Sequence, residues 1–177
     1  RQRIPYETGD RIAAINGVAR ASAFLTGYAQ AVTADGDVVD AAGRLPQGFA
    51  WIDDAALNPY QIVDGRPPAA VDEVALDRDT FTDGAFQLGD SVRILPMPAD
   101  QRFTLVGVVT PDGAGNLGEQ VVAFDLDGAA QAFGTTDVEQ VFVQADDGVG
   151  QDELAGVINE TLDSTGVTGL EAITGDE

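Results

Sequence analysis

The side chains of this chain that could do chemistry are carboxylates, and many of them stand close together. Of the 177 residues, 30 are Asp or Glu. The close groups are Asp35 with Asp37, Asp53 with Asp54, Asp77 with Asp79 and Asp83, Asp125 with Asp127, and Asp146 with Asp147. Calcium prefers such oxygen ligands, but none of these groups continues into the twelve-residue loop with a final Glu that calcium-binding loops use. We therefore expect no bound metal and no cofactor.

Other catalytic groups are missing from the composition. The nine basic residues are all Arg, and the chain has no His, no Cys and no Lys. These absences exclude a Ser-His-Asp triad, a thiolate nucleophile, a Schiff base and an ordinary structural zinc site. A pair of carboxylates acting as acid and nucleophile is the one hydrolytic arrangement left, and we keep it as a less favoured alternative. The sequence predicts that this chain is not an enzyme.

The net charge of −21 restricts the possible partners. Such a chain repels phosphate backbones and anionic lipid surfaces within about a Debye length, roughly 8–10 Å at ordinary salt. We therefore expect no nucleic acid among the partners. The acidic surface fits simple solubility, and two further interpretations are steering toward a basic partner and adaptation to high salt.

Short strands separated by Gly, Pro and Asp turns dominate the first two thirds of the chain. A helix is predicted over 7–15 with Thr8 as a cap, and a long strand over 19–33, interrupted at Gly27. An Asp-Gly turn at 34–37 predicts a hairpin. Further strands are predicted at 49–52, 61–63, 73–77, 91–95, 103–109 and 120–124. Asp125 or Asp127 can cap a short helix that ends at Gly134.

The last third has the clearest periodicity. A strand is predicted at 138–145, then an amphipathic helix over 151–163, then a returning strand at 167–173. The apolar stripe of the helix consists of Leu154, Val157, Ile158 and Leu162. A strand, helix and strand at this spacing predict a right-handed βαβ unit. The fold class is therefore α+β, with sheets backed by two or three helices.

Taken in order, these segments resemble a known family. They are 15–18 (INGV), 58–68 (NPYQIVDGRPP), 73–77 (EVALD), 88–92 (LGDSV), 103–108 (FTLVGV), 116–118 (NLG) and 123–125 (AFD). Their arrangement resembles the extracytoplasmic domain of FtsX-like ABC transporter permeases of the MacB type, in particular the actinobacterial members. The block 65–109 carries much of this resemblance, which spans nearly the whole chain and rests on strand and turn patterns.

The resemblance implies an architecture and a location. It implies a MacB-type α+β ectodomain in which a sheet-and-helix lobe containing a βαβ unit, from about 1–50 with 110–177, accompanies a smaller, mostly-β lobe from about 51–109. It also implies a cell-membrane protein with this single domain on the extracytoplasmic side. Because the sequence contains no apolar run of about 20 residues, we expect the permease's transmembrane helices before Arg1 and after Glu177.

The resemblance also implies partners. These are a separate cytoplasmic ATPase, reached through the rest of the permease, a second permease subunit, and an unknown envelope protein, peptide or lipid cargo. The implied function is non-catalytic coupling of ATP-driven motion to export, lipoprotein handling or activation of an envelope partner. A freestanding secreted binding module is the main alternative.

Two loops are the candidate partner contacts, because binding tends to use loops held on rigid sheets. They are 53–60 and 112–119. The candidate residues are Asp53, Asp54, Leu57, Tyr60, Asp112, Asn116, Leu117 and Glu119.

Overall fold

The computed structural model describes residues 3–40, 43–112, 119–164, 166 and 172. The chain divides into two compact units. The terminal unit contains Arg1–Phe24 and Asp137–Glu177, and the central unit is the continuous stretch Leu25–Thr136.

The terminal unit packs helices onto one antiparallel strand pair. Its elements are α1 (Thr8–Ala13), β1 (Val18–Phe24), β10 (Gln140–Ala145) and α4 (Gln151–Ser164). In the β1–β10 pair, Val18 lies opposite Ala145 and Phe24 opposite Gln140. Its buried core consists of Ile12, Val18, Leu154, Ile158 and Leu162. The unit is held together by apolar burial, since these side chains come from both helices and from the sheet.

The central unit is built around a mixed sheet of eight strands. The strands are β2 (Thr26–Gly27), β3 (Gln30–Val32), β4 (Leu45–Ala50), β5 (Tyr60–Gly65), β6 (Glu73–Asp77), β7 (Ser91–Leu95), β8 (Phe103–Pro111) and β9 (Glu119–Phe124). Their order is β2-β4-β9-β6-β8-β7-β3, and β5 also pairs with β8. The β4–β9 and β6–β8 pairs are parallel. Only Tyr28 and Ala29 separate β2 from β3, so the sheet curls until its first and last strands are neighbours.

Two helices and a set of aromatic rings complete the central unit. The helices are α2 (Arg78–Asp83) and α3 (Leu126–Phe133). Phe49 stacks on Tyr60 with ring centroids 4.6 Å apart, and Phe124 contacts Phe103 and Phe133 edge to face. Such ring pairs add packing energy beyond the area that they bury.

Most of the predicted elements are confirmed, as is the α+β class. The strands at 73–77 and 91–95 have the predicted bounds, and α3 begins after Asp125 and ends at Gly134, which adopts a left-handed conformation with φ of 68°. The 34–37 turn is also confirmed, since Val32 pairs with Val38 around it. Of the predicted βαβ unit, the structure describes the first strand and the helix as β10 and α4, and the predicted returning strand at 167–173 lies outside the described residues apart from Ala172.

Three element predictions need correction, and one helix was not predicted. The expected long strand over 19–33 is three strands, because β1, β2 and β3 pair with three different partners. Helix α2 was not predicted. Glu7, not Thr8, precedes α1 as its cap residue, and Thr8 is buried. In α4, Val157 is exposed while Leu154, Ile158 and Leu162 are buried.

The compact units differ in extent from the predicted lobes. The predicted boundaries near 50 and 110 both lie inside the central unit, because β4 and β9 pair with each other and β9 also pairs with β6. The two lobes implied by the family resemblance therefore stay a prediction beside these compact units.

Candidate functional site

The predicted contact loop 53–60 is a compact, hydrogen-bonded turn. The Asn58 side chain is buried, and its Nδ2 donates to the carbonyl of Ile52 at 2.8 Å while its Oδ1 accepts from the N–H of Tyr60 at 2.9 Å. The carboxylate of Asp54 accepts from the N–H of Ala56 at 3.1 Å. One buried amide thus holds both ends of the loop, which fixes the backbone that presents Asp53 to solvent.

The structure brings the second predicted loop next to the first. The N–H of Asp112 donates to the carbonyl of Pro59 at 2.7 Å, directly after Pro111 at the end of β8, which pairs with Tyr60 at the start of β5. The last residues of loop 53–60 and the first residue of loop 112–119 therefore lie side by side at one end of the sheet.

The individual candidate residues differ in what they offer to a partner. Asp53 and Asp112 are exposed, and Asp54 and Leu57 are half-buried. Tyr60 is only 6% exposed and stacks on Phe49, so its ring supports the loop from the core instead of meeting solvent. Glu119 begins β9. Asn116 and Leu117 lie outside the described residues.

One of the close acidic groups, the one that begins with Asp77, has a structural role. The side chain of Asp77 is buried and caps α2 by accepting from the N–H of Thr80 at 2.9 Å, and it also accepts from the Thr80 hydroxyl. Its Oδ2 accepts from the N–H of Val121 in β9 at 2.9 Å. Arg44 supplies the countercharge, with Nη1 at 3.2 Å from Oδ1 of Asp77.

The guanidinium of Arg44 therefore lies between the carboxylates, at the position where a metal ion bound by them would lie. Its guanidinium also reaches Asp79 at 3.2 Å and Asp83 at 3.9 Å, although its own side chain is only 14% exposed. Across the described part of the chain, no three acidic side chains are grouped so that they could hold a metal ion. Sequence reasoning missed Arg44, because nothing in its neighbourhood along the chain indicates partners more than 30 residues away.

A second ion pair lies between the segment after β5 and the start of β6. Arg66 and Glu73 form a bidentate pair, with Nη1 donating to Oε2 at 2.8 Å and Nη2 to Oε1. The N–H of Ala69 also donates to Oε2 at 2.9 Å. The hydrogen bonds from Arg66 and then from Ala69 lower the pKa of Glu73 to about 2.

Comparisons with known proteins identify the family. The family model described as the MacB-like periplasmic core domain matches residues 1–161. The chain belongs to this family. Its members are non-catalytic periplasmic domains of ABC transporter permeases, and this chain is such a periplasmic or extracellular domain. A comparison with curated proteins gives no match.

Solved structures of such domains have the same fold. The extracellular domain of the noncanonic ABC-type transporter YknZ from Gram-positive bacteria is 15% identical, with a TM-score of 0.68 over 96% of this chain and 87% of that one. The periplasmic region of MacB from Actinobacillus actinomycetemcomitans is 11% identical, with a TM-score of 0.67 over 93% of this chain and 75% of that one. A domain of a putative permease from Porphyromonas gingivalis is 12% identical, with a TM-score of 0.65 over 92% and 71% of the two chains. None of the described helices combines the length and apolar character that crossing a membrane requires.

Proposed function

We propose that this MacB-like periplasmic core domain couples ATP-driven movement of a permease's transmembrane helices to a partner outside the membrane. The family match over 1–161 is the observation that carries the proposal. The composition supports it, because a chain without His, Lys or Cys offers few routes to catalysis.

The proposal also includes the other parts of the transporter. Transmembrane helices flank the domain and fix it to the membrane, a separate cytoplasmic ATPase hydrolyses ATP, and the permease works as a dimer. The partner is an envelope protein, peptide or lipid cargo, and the coupled work is export, lipoprotein handling or activation of an envelope enzyme.

The decisive experiment uses the full-length permease with its ATPase. We expect the two to co-purify, and we expect deletion of residues 25–136 to abolish the cellular function while the ATPase still binds the permease and hydrolyses ATP. A gene that encodes this domain without neighbouring apolar helices, or a deletion without effect on the cell, would overturn the proposal. The first result would favour the freestanding secreted module.

We also propose that the paired loops contact the partner. Support comes from the Asp112–Pro59 hydrogen bond, which joins the loops, and from the exposure of Asp53 and Asp112. Asp54, Leu57, Asn116, Leu117 and Glu119 remain predicted contacts of the same surface.

This contact proposal can be tested by photocrosslinking in cells. A photoreactive amino acid at position 53 or 112 is expected to capture the partner, whereas the same group at the exposed Thr82 in α2 serves as the matched control. Equal capture from all three positions, or capture from Thr82 alone, would contradict the assignment.

A further inference from the structure

The turn between α1 and β1 contains the dipeptide Asn16-Gly17. The N–H of Val18 donates to the carbonyl of Ile15 at 3.1 Å, so Asn16 and Gly17 are the two central residues of this turn. Asn16 is exposed, and Gly17 has a φ of 96°, in the left-handed region that favours glycine. The fold therefore keeps the least hindered residue directly after an exposed asparagine.

An asparagine in this position can react with the backbone that follows it. The nitrogen of Gly17 attacks Cγ of the Asn16 carboxamide, a new C–N bond forms, the bond from Cγ to the amide nitrogen breaks, and ammonia leaves with the proton of the Gly17 N–H. Water then opens the succinimide ring at either carbonyl and gives aspartate or isoaspartate. The reaction needs only an accessible carboxamide and a backbone nitrogen that is free to approach it.

Both conditions are met at this turn. Within the part of the chain that the structure describes, the N–H of Gly17 donates to no acceptor, and the side chain of Asn16 has no hydrogen-bond partner. Neither reacting group therefore has to break a bond to another described residue before the two approach each other.

Two other described asparagines are protected by their surroundings. Asn58 is buried with both ends of its carboxamide hydrogen-bonded, and the residue after it is Pro59, which has no N–H. Asn159 lies within α4, where its Oδ1 accepts from the N–H of Ala172 at 2.8 Å and the helix engages the N–H that follows it. The structure thus distinguishes Asn16 from both.

We infer that Asn16 is a site of spontaneous deamidation, and that isoaspartate formed there weakens the terminal unit. Isoaspartate adds one methylene to the backbone directly before Gly17. The carbonyl of Gly17 accepts from the N–H of Asp146 at 2.8 Å, and a Cβ at Gly17 would lie 3.5 Å from Cδ1 of Leu154. This backbone therefore packs against the segment after β10 and against α4, and displacing it loosens the start of β1.

The site is tested by storing the 177-residue chain at mildly alkaline pH and about 40 °C, followed by peptide mapping with mass spectrometry. We expect Asn16 to convert at least about tenfold faster than Asn58 and Asn159. In a parallel sample unfolded in urea, Asn159 should react faster than in the folded chain, whereas folding should slow Asn16 by less than about tenfold. Conversion of Asn159 before Asn16 in the folded chain, or stronger protection of Asn16 by folding, would overturn the assignment.

The structural effect is tested on the isoaspartate fraction after its separation by ion exchange. We expect hydrogen exchange of the Asp146 N–H to be about tenfold faster in this fraction than in fresh protein. N16D adds the charge without the methylene and should leave this exchange unchanged. N16Q should give no such fraction on storage, whereas the matched variant N159Q should still give it. Unchanged exchange in the isoaspartate fraction, or equal acceleration in N16D, would contradict the inferred weakening. No ATPase or membrane is present, so these outcomes do not depend on the proposed function.

Discussion

Nη1 of Arg44 lies 3.2 Å from Oδ1 of Asp77, and this pair joins three parts of the central unit. Arg44 directly precedes β4, Asp77 caps α2 at the end of β6, and the same carboxylate accepts the N–H of Val121 in β9. The pair therefore holds the start of α2 against the ends of β4, β6 and β9. We expect its loss to lower the stability of the central unit.

Replacing Arg44 should leave the buried carboxylate of Asp77 without its countercharge. We expect R44Q to lower the free energy of unfolding by about 2 kcal/mol, because removing one member of a largely buried pair leaves the other charge uncompensated. Urea unfolding followed by circular dichroism measures this. The matched control is R102Q, which removes the same charge from an exposed position and should change stability by less than about 0.5 kcal/mol. Equal losses would show that only net charge matters.

The Arg66–Glu73 pair predicts a dependence of stability on acid. Because folding lowers the pKa of Glu73 to about 2 from its ordinary 4.5, the pair's contribution is fully present above about pH 4.5 and is lost as the pH falls toward 2. We expect E73Q to cost about 1 kcal/mol at neutral pH and nothing near pH 2. Unfolding of both proteins between pH 2 and 7 measures the difference, with E153Q as the control for charge. A difference that is independent of pH would contradict the assignment.

Elements with strong local signals could be predicted, and those fixed by distant contacts could not. Asp125 and Gly134 bound α3 because an Asp cap and a Gly stop act within one turn of the helix. Helix α2 has a comparable cap in Asp77, but its six residues are too few to show a helical period. The division of 19–33 into β1, β2 and β3 could not be predicted from the local sequence either. Each of these strands is defined by its own partner, and the three partners lie far away along the chain.

The candidate site shows the same limit. The two candidate contact loops could be predicted from Pro, Gly and Asp content alone, although the structure describes only the ends of the second, 112–119. Their proximity could not, because it follows from the pairing of β5 with β8 across 50 residues, from Tyr60 to Pro111. The burial of Tyr60 could not be predicted either, because its ring stacks on Phe49 of β4, a strand that does not pair with β5 in the sheet.

Close packing around Gly48 should make that position intolerant of any side chain. A Cβ there would lie 2.7 Å from Cβ of Ala29 and 2.8 Å from Cζ of Phe133. We expect G48A to lower the free energy of unfolding by about 2 kcal/mol through overpacking. G156A in α4 is the matched control: a Cβ at Gly156 meets nothing within 4 Å, so alanine should stabilise the helix by about 0.5–1 kcal/mol. Thermal unfolding of both variants should therefore show shifts of opposite sign.

The central unit should fold without the terminal unit. Among the residues that the structure describes, the eight strands of its sheet pair only with one another, and the chain between Leu25 and Thr136 is continuous. We expect a protein of residues 25–136 to unfold cooperatively in urea and to give a dispersed amide NMR spectrum. A collapsed protein with a gradual transition would show that this unit needs the rest of the chain.

The pairing of β1 with β10 has a mechanical consequence. Val18, where the chain enters β1, lies opposite Ala145, where the chain leaves β10. Tension between the segments that precede Val18 and follow Ala145 must therefore first break the Ile4–Val138 bridge and the core that α1 and α4 share. Only then does it act on this end of the strand pair and open its hydrogen bonds one after another. A strand pair loaded in this way yields gradually at low force, and a shear-loaded pair would resist until all of its bonds broke together.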